Sequence, residues 1–254
     1  MQSTSARLEG KVALITGAGR GMGRAHAQLL AAQGADIVVH DISGPGAEET
    51  AELVRKQGGR ALVAVADVAS LPAMADVVAN AEANLGSIDI LINNAGIGAD
   101  RATIEEIDEA MFDRMFNVHV KGAFFTTRAV VPGMKARRSG AIINVSSIWG
   151  MVGHHFGSTY CGAKATLIGF TKSWAKELAP YRITVNAVAP GGVTSPMAIE
   201  KDGIDAVRER MARVPLGRWA EPSEVSDGVL YLVTAGFVTG QVLCISGGET
   251  IVGI

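Results

Sequence analysis

Short apolar runs alternate with stretches of helical periodicity along almost the whole chain, and glycine, proline or a capping residue marks each change of period. Positions 12–15 form the first run and meet Thr16-Gly17-Ala18-Gly19-Arg20-Gly21-Met22-Gly23, after which 25–33 reads as a helix closed by Gly34. A second strand over 35–40 ends in Asp41, a helix over 45–57 is stopped by Gly58-Gly59, and a third strand over 61–66 ends in Asp67. Ser70 followed by Pro72 opens the next helix as a cap and an early proline should, and Gly86 closes it. The fourth strand, 88–92, runs into Asn93-Asn94-Ala95-Gly96. Thr103-Ile-Glu-Glu106 has capping-box spacing and predicts a helical region from there to Arg137, with a break inside it. A strand over 141–145 delivers Ser146-Ser147, a helix carries Tyr160 and Lys164 as far as Ala179 before Pro180, and a strand over 183–188 ends in Pro190-Gly191. Two shorter helices, 199–213 and 222–234, precede a last strand over 241–245.

Strands that read as near-continuous apolar runs are buried on both faces. Their alternation with helices predicts an α/β chain: a single-domain Rossmann fold over 1–254, doubly wound, with about seven parallel strands and helices on both faces. Cofactor-binding elements fall mainly in 10–100, and catalytic and substrate elements mainly in 110–254.

Composition narrows the function without naming it. With 254 residues, 48% of them hydrophobic and 19% charged, the chain can bury one large core. A net charge of −2 gives no long-range attraction for nucleic acid or an anionic membrane, so neither is an expected partner. No apolar run reaches the ~18 residues of a spanning helix, and the first ten residues lack a signal-peptide pattern, which predicts a cytoplasmic protein. Cys161 and Cys244 suggest neither a disulfide framework nor a metal pair. His154-His155 lacks acids or cysteines at ligand spacing, so no metal is expected and the pair reads as pocket wall or solvent-facing loop, its side chains diverging.

In a doubly wound sheet, ligands lie outside the carboxyl ends of the strands, and the chemically marked residues fall there. Gly17, Gly21 and Gly23 let backbone approach a pyrophosphate at a helix N-terminus. Asp41 is placed to accept hydrogen bonds from an adenosine ribose and to repel a 2′-phosphate, which favours NAD over NADP; Arg20, in the glycine loop, argues the other way. Tyr160 and Lys164 share a helix face, so an ammonium can help lower a phenol that titrates near ~10 in isolation.

These residues together resemble the classical short-chain dehydrogenases/reductases, and the match extends over nearly the whole chain. Residues 16–23 resemble that family's cofactor loop and Asn93-Asn94-Ala95-Gly96 its strand-four motif; Asp67-Val68 matches its adenine-contacting pair. Asn117 in Asn-Val-His-Val-Lys-Gly122 matches its helix asparagine. Ser147, thirteen positions before Tyr160, matches its serine, Tyr160-x-x-x-Lys164 its signature pair, and Pro190-Gly191 its nicotinamide-side motif. The resemblance implies NAD(P)-dependent interconversion of an alcohol and a carbonyl, with Asn117, Ser147, Tyr160 and Lys164 catalytic. It further implies cofactor contacts from Gly17, Arg20, Gly21, Met22, Gly23, Asp41, Asp67, Val68, Asn94, Ala95, Gly96, Tyr160, Lys164, Pro190, Gly191, Val193, Ser195 and Met197. The implied assembly is a homotetramer built on the Asn117 and Tyr160 helices. Ser195 replaces a usual threonine, 234–237 is short, and Ser246 replaces a usual acid.

The expected activity is therefore NAD-dependent oxidation of a secondary alcohol. An NADPH-dependent reductase of 3-oxoacyl thioesters, or a nicotinamide-binding regulator without turnover, are the alternatives. The substrate wall is expected in 97–101, 148–156 and 192–213, where Trp149, Met151, Val152, Phe156 and Met197 suggest an apolar, bulky or cyclic small molecule.

Overall fold

In the computed structural model, which describes residues 7–195 and 204–251, β1 (Val12–Thr16) is buried along its whole length. Its residues divide by the pleat: Ala13 and Ile15 join one apolar core, Val12 and Leu14 the other. β2 (Asp36–Asp41), β3 (Ala61–Val65), β4 (Ile88–Asn93), β5 (Gly140–Val145), β6 (Ile183–Pro190) and β7 (Val242–Ile245) complete a sheet ordered β3-β2-β1-β4-β5-β6-β7. Every neighbouring pair is parallel. Strand order reverses between β1 and β4, so their carboxyl ends open a crevice.

Helices cover both faces, as expected. On one side α1 (Gly21–Ala32) places Ala27 and Leu30 against Ile15, together with Val225 and Val229 of the helix Pro222–Thr234. On the other, α3 (Leu71–Leu85) contributes Met74 and Val78. α2 (Gly44–Lys56) runs between β2 and β3, its first turn capped by Ser43 Oγ, which accepts from Gly46 N.

The region predicted to be helical from Thr103 departs from expectation. Thr103 N and Oγ1 do bond Glu106 Oε2, at 2.8 and 3.0 Å, but they close only a turn. α4 (Glu109–Phe116) starts later, because Asp108 Oδ1 accepts from Met111 N at 2.7 Å and supplies the real cap. The predicted break is a π turn, Asn117–Lys121, before α5 (Gly122–Arg137). A short α6 (Trp149–Val152), absent from the sequence reading, precedes α7 (Ser158–Leu178). α8 (Ile204–Met211) and α9 (Pro222–Thr234) fill the two C-terminal helical positions. The part of the first one predicted over 199–203 lies outside the described residues.

A buried polar chain crosses this apolar interior. Asn93 Nδ2 donates to Thr127 Oγ1 on α5 and to Asn144 Oδ1 on β5, both at 2.9 Å. Asn144 Nδ2 donates to Thr171 Oγ1 on α7 at 2.9 Å, and Thr171 Oγ1 donates to Leu167 O at 2.8 Å. β4, β5, α5 and α7 are thereby joined by directional bonds as well as by packing.

Candidate active site

β1 and β4 are laced together at their carboxyl ends. Thr16 Oγ1 accepts from Asn94 N and Ala95 N, each at 3.0 Å, while Asn94 Nδ2 donates to Thr16 O and Gly17 O at 2.9 and 3.0 Å. The Asn94 amide nitrogen therefore braces the glycine loop. The helix that follows begins at Gly21, inside the loop and four residues before its predicted start, so Gly21, Met22 and Gly23 form its first turn. A Cβ on Gly23 would overlap Gly17 O, which fixes glycine there.

Asp41, at the end of β2, is held by two backbone donors: Gly19 N to Oδ2 at 2.8 Å and Ser43 N to Oδ1 at 2.9 Å. The neighbouring Arg24 is committed elsewhere, its guanidinium on Glu49 at 2.7 and 2.8 Å and on Gly19 O at 2.6 Å. A cleft of about 660 Å³ runs along these groups, lined by Gly17, Arg20, Gly21, Met22, Gly23 and Asp41 together with Asp67, Val68, Asn94, Ala95 and Gly96. Asp67 shapes its own turn, accepting from Ala69 N at 2.9 Å. Burial holds the His40 ring, also on this cleft, below its ordinary pKa.

The cleft suits a dinucleotide on its own geometry. The first turn of α1 carries no acid, Gly21 and Gly23 place no side chain between its backbone and the cleft, and a carboxylate fixed at the end of β2 lines the same space.

A second cavity of about 430 Å³ adjoins it, sharing Met22, Gly98 and Ser195. Ser146, Ser147 and Tyr160 line it with Pro190, Gly191 and Val193. The serines are set by β6: Ser146 N donates to Val188 O at 2.8 Å and Ile148 N to Pro190 O at 3.1 Å. Ser146 Oγ turns inward and donates to Lys164 O at 2.8 Å, whereas Ser147 Oγ accepts from Trp149 N at 3.2 Å and stands close enough to Tyr160 to pull the phenol's pKa down. Of the two adjacent serines, only Ser147 is therefore aimed at the phenol.

Lys164 and Asn117 line neither cavity. Lys164 is 4% exposed and donates from Nζ to Val145 O at 2.8 Å, with Nζ 5.6 Å from the Tyr160 ring centre. Burial lowers it to about 7. Burial pushes the Tyr160 phenol up to about 12, with the Ser147 hydrogen bond pulling the other way. In the protein alone, burial outweighs the pull of Ser147 and leaves the phenol above its ordinary value. Asn117 opens the π turn, its carbonyl accepting from Gly122 N. Met197 lies outside the described residues.

His119 escaped the sequence reading. Buried at 2% exposure, it sets its ring edge-on to Tyr160 at 5.5 Å and its Nε2 within 3.0 Å of Ile97 O. A Cβ on Gly96 would overlap this ring, so His119 accounts for glycine in that motif. Burial first, then the Lys164 charge, hold it well below its ordinary pKa. Nothing in linear spacing marks it, since the π turn alone brings it against Gly96.

The substrate wall is apolar at Ile148, Trp149 and Phe156, as predicted, whereas Met151 and Val152 do not line it. It also carries Arg101, Arg210, Arg213, His154 and His155. The two histidines do not diverge: their rings lie 4.3 Å apart, because the chain bends here and has no strand alternation. Among the described residues no group of three or more His, Cys, Asp or Glu could hold a metal ion.

A family model described as short chain dehydrogenase matches residues 11–203. The chain is 42% identical over 247 residues to the 3-oxoacyl-(acyl-carrier-protein) reductase of Thermotoga maritima, covering 96% of this chain and 100% of that one. It is 40% identical over 258 residues to trans-4-hydroxycyclohexanecarboxylate dehydrogenase of Sinomonas cyclohexanicum, covering 98% and 96%. Levodione reductase superposes with a TM-score of 0.92 at 32% identity, over 95% of this chain and 98% of that structure. The fold, the Ser147–Tyr160 geometry and these likenesses agree: the chain belongs to the short-chain dehydrogenase/reductase family of oxidoreductases.

Proposed function

We propose that the protein interconverts a cyclic secondary alcohol and its ketone using NAD, with Tyr160 as general acid and base. The observation that carries this reading is the placement of Ser147 and Tyr160 together on the wall of a cavity that adjoins the glycine-loop cleft.

Ser147 Oγ accepts from Trp149 N, which leaves its own proton to point at the reacting oxygen. Tyr160, protonated by virtue of burial, is ready to donate in reduction, and in oxidation it takes the alcohol proton. A bound nicotinamide cofactor would take up the hydride in oxidation and supply it in reduction, and only in its oxidised form would its positive ring favour the phenolate. Lys164 and the loop from Pro190 to Ser195 would hold the nicotinamide end, and Gly17, Gly21 and Gly23 the pyrophosphate. Asn117 is assigned the supporting place in the proton path. Asp41 supports NAD, since its two backbone donors keep a carboxylate where a 2′-phosphate would have to lie. The name of the Sinomonas relative supports a cyclic secondary alcohol.

A second reading, an NADPH-dependent reductase of 3-oxoacyl thioesters, is favoured by the Thermotoga relative and by Arg20 on the cleft. One experiment separates them. Purified protein is given cyclic secondary alcohols with NAD or NADP, and a 3-oxoacyl thioester with NADH or NADPH. NAD-linked turnover of the alcohols, abolished in Tyr160→Phe, is the expected result. Turnover that survives the substitution refutes the assigned chemistry, and a preference for NADPH and the thioester selects the second reading.

A homotetramer in the cytoplasm completes the proposal. Its support is an apolar patch on the Asn117 and Tyr160 helices: Phe124, 38% exposed, packs with Phe125, Phe170 and Trp174.

A further inference from the structure

The loop that follows β4 holds a histidine against Tyr160. Of the five residues in the π turn Asn117–Lys121, only His119 is buried. Its Nε2 lies 3.1 Å from Ile97 N and 3.0 Å from Ile97 O. One bond therefore forms whichever ring nitrogen carries the proton: a bare Nε2 accepts from the amide, and a protonated one donates to the carbonyl. Its Cε1 and Nδ1 close over Gly96, where a Cβ would not fit. Gly96 and Ile97 both line the glycine-loop cleft, whereas His119 lines neither cavity.

From that seat the imidazole meets the phenol ring. The two planes stand at 88° with centres 5.5 Å apart, the perpendicular arrangement that aromatic rings favour. Tyr160 makes a second perpendicular contact, with Trp149, at 84° and 5.9 Å. What stands behind the two contacts differs. Trp149 is half-buried on the substrate wall, where a ligand would press on it, while His119 is 2% exposed and bonded to backbone. His119 is also unsuited to carrying a proton itself. It opens on no cavity, and burial, with the charge of Lys164, keeps its ring neutral; Lys164 and Tyr160 are the titratable groups beside it.

We propose that His119 is a positioning residue, which carries the placement of the Gly96–Ile97 loop to the Tyr160 ring and so holds the phenol at its working position on the cavity wall. This rests on the acid–base reading of Tyr160 above and adds to it a residue that touches neither substrate nor cofactor.

The test compares three variants that circular dichroism shows to be folded. His119→Leu removes both the bond and the ring, His119→Gln keeps an amide where Nε2 lay, and His119→Phe keeps a ring without the bond. The first readout needs neither cofactor nor turnover: fluorine NMR of protein carrying 3-fluorotyrosine, in which the Tyr160 signal is the one among three tyrosines that Tyr160→Phe removes. A held ring gives two slowly exchanging lines, one for each place the fluorine can take. They should merge in His119→Leu and His119→Gln and stay apart in His119→Phe. The second readout is steady-state kinetics with NAD and cyclic secondary alcohols. In His119→Leu and His119→Gln kcat should fall roughly ten- to a hundredfold with the alcohol KM changed less than about twofold, the size and pattern of a misplaced reacting group. His119→Phe should recover most of the loss, and the pH at which kcat declines should stay where it is in wild type. Unchanged lines and unchanged kcat in His119→Leu and His119→Gln overturn the proposal, with or without a folded His119→Phe. So does a loss shared equally by a folded His119→Phe, or a pH limb that moves with the substitution, which would make His119 a proton carrier. Merged lines in a protein that turns over no alcohol would instead sink the alcohol–ketone reading and leave the hold on Tyr160 standing.

Discussion

At the scale of single residues, Lys164 is the group whose environment departs furthest from what its type suggests. A lysine lowered to about 7 by burial is neutral in the folded protein and charged in the unfolded chain between that pH and ~10.4. Over this window the unfolded state binds the extra proton, so stability rises with pH; below about 7 both states are protonated and the contribution is flat. Wild type should therefore gain stability relative to Lys164→Met between pH 7 and 10, by an amount on the order of a few kcal/mol. Chemical denaturation of the two proteins across that range measures it, and a pH-independent difference would contradict a neutral amine at Val145 O. Tyr160 works in the opposite sense only above ~10, where the unfolded chain loses a proton that the buried phenol, at about 12, retains.

At the scale of elements, the local signals were legible and the long-range ones were not. Apolar runs and glycine stops located the strands, and Asp41 and the Ser146-Ser147 pair followed from their ends, because strand ends are set by near neighbours in sequence; Ser147 over Ser146, and its pairing with Tyr160, came from the family resemblance. The start of α4 was misplaced because two capping signals, Thr103 and Asp108, compete within five residues and only packing selects the second. His119 was invisible for the same reason, since a π turn and a loop from another strand must meet before it matters. The meeting gives a test. Gly96→Ala should destabilise the fold by about 1–3 kcal/mol through overlap with the His119 ring. Adding His119→Ala should recover part of that loss, a coupling that urea denaturation of the four proteins in the cycle measures. The second cavity was legible only as a wall: Arg101, His154 and Arg210, which line it together, are too far apart in sequence for any pattern to join them.

At the scale of the whole molecule, the sheet has its loops at one end and an apolar patch on its flank. Phe112 and Phe116 stack at 4.4 Å on α4, with Phe112 46% exposed, close in sequence to the Phe124 cluster on α5. Exposed apolar patches of this kind mark association surfaces. Sedimentation should show a tetramer for the wild type and smaller species for Phe124→Asp; a monomer in both would remove the assembly from the proposal. No described helix is long and apolar enough to cross a membrane.

The asparagine–threonine chain from Asn93 through Asn144 to Thr171 lies beneath all of this, about three helical turns along α7 from Tyr160. Apolar contacts tolerate small sliding, whereas a hydrogen bond is directional and weakens steeply as its alignment is lost. The helix bearing Tyr160 and Lys164 is thus indexed to the sheet the way a peg indexes a slide: it can sit at one register or leave it, with no gradual drift between. Aim at Ser147 is consequently conserved when the surrounding packing loosens with heat or with substitution, and is lost all at once when the peg is pulled.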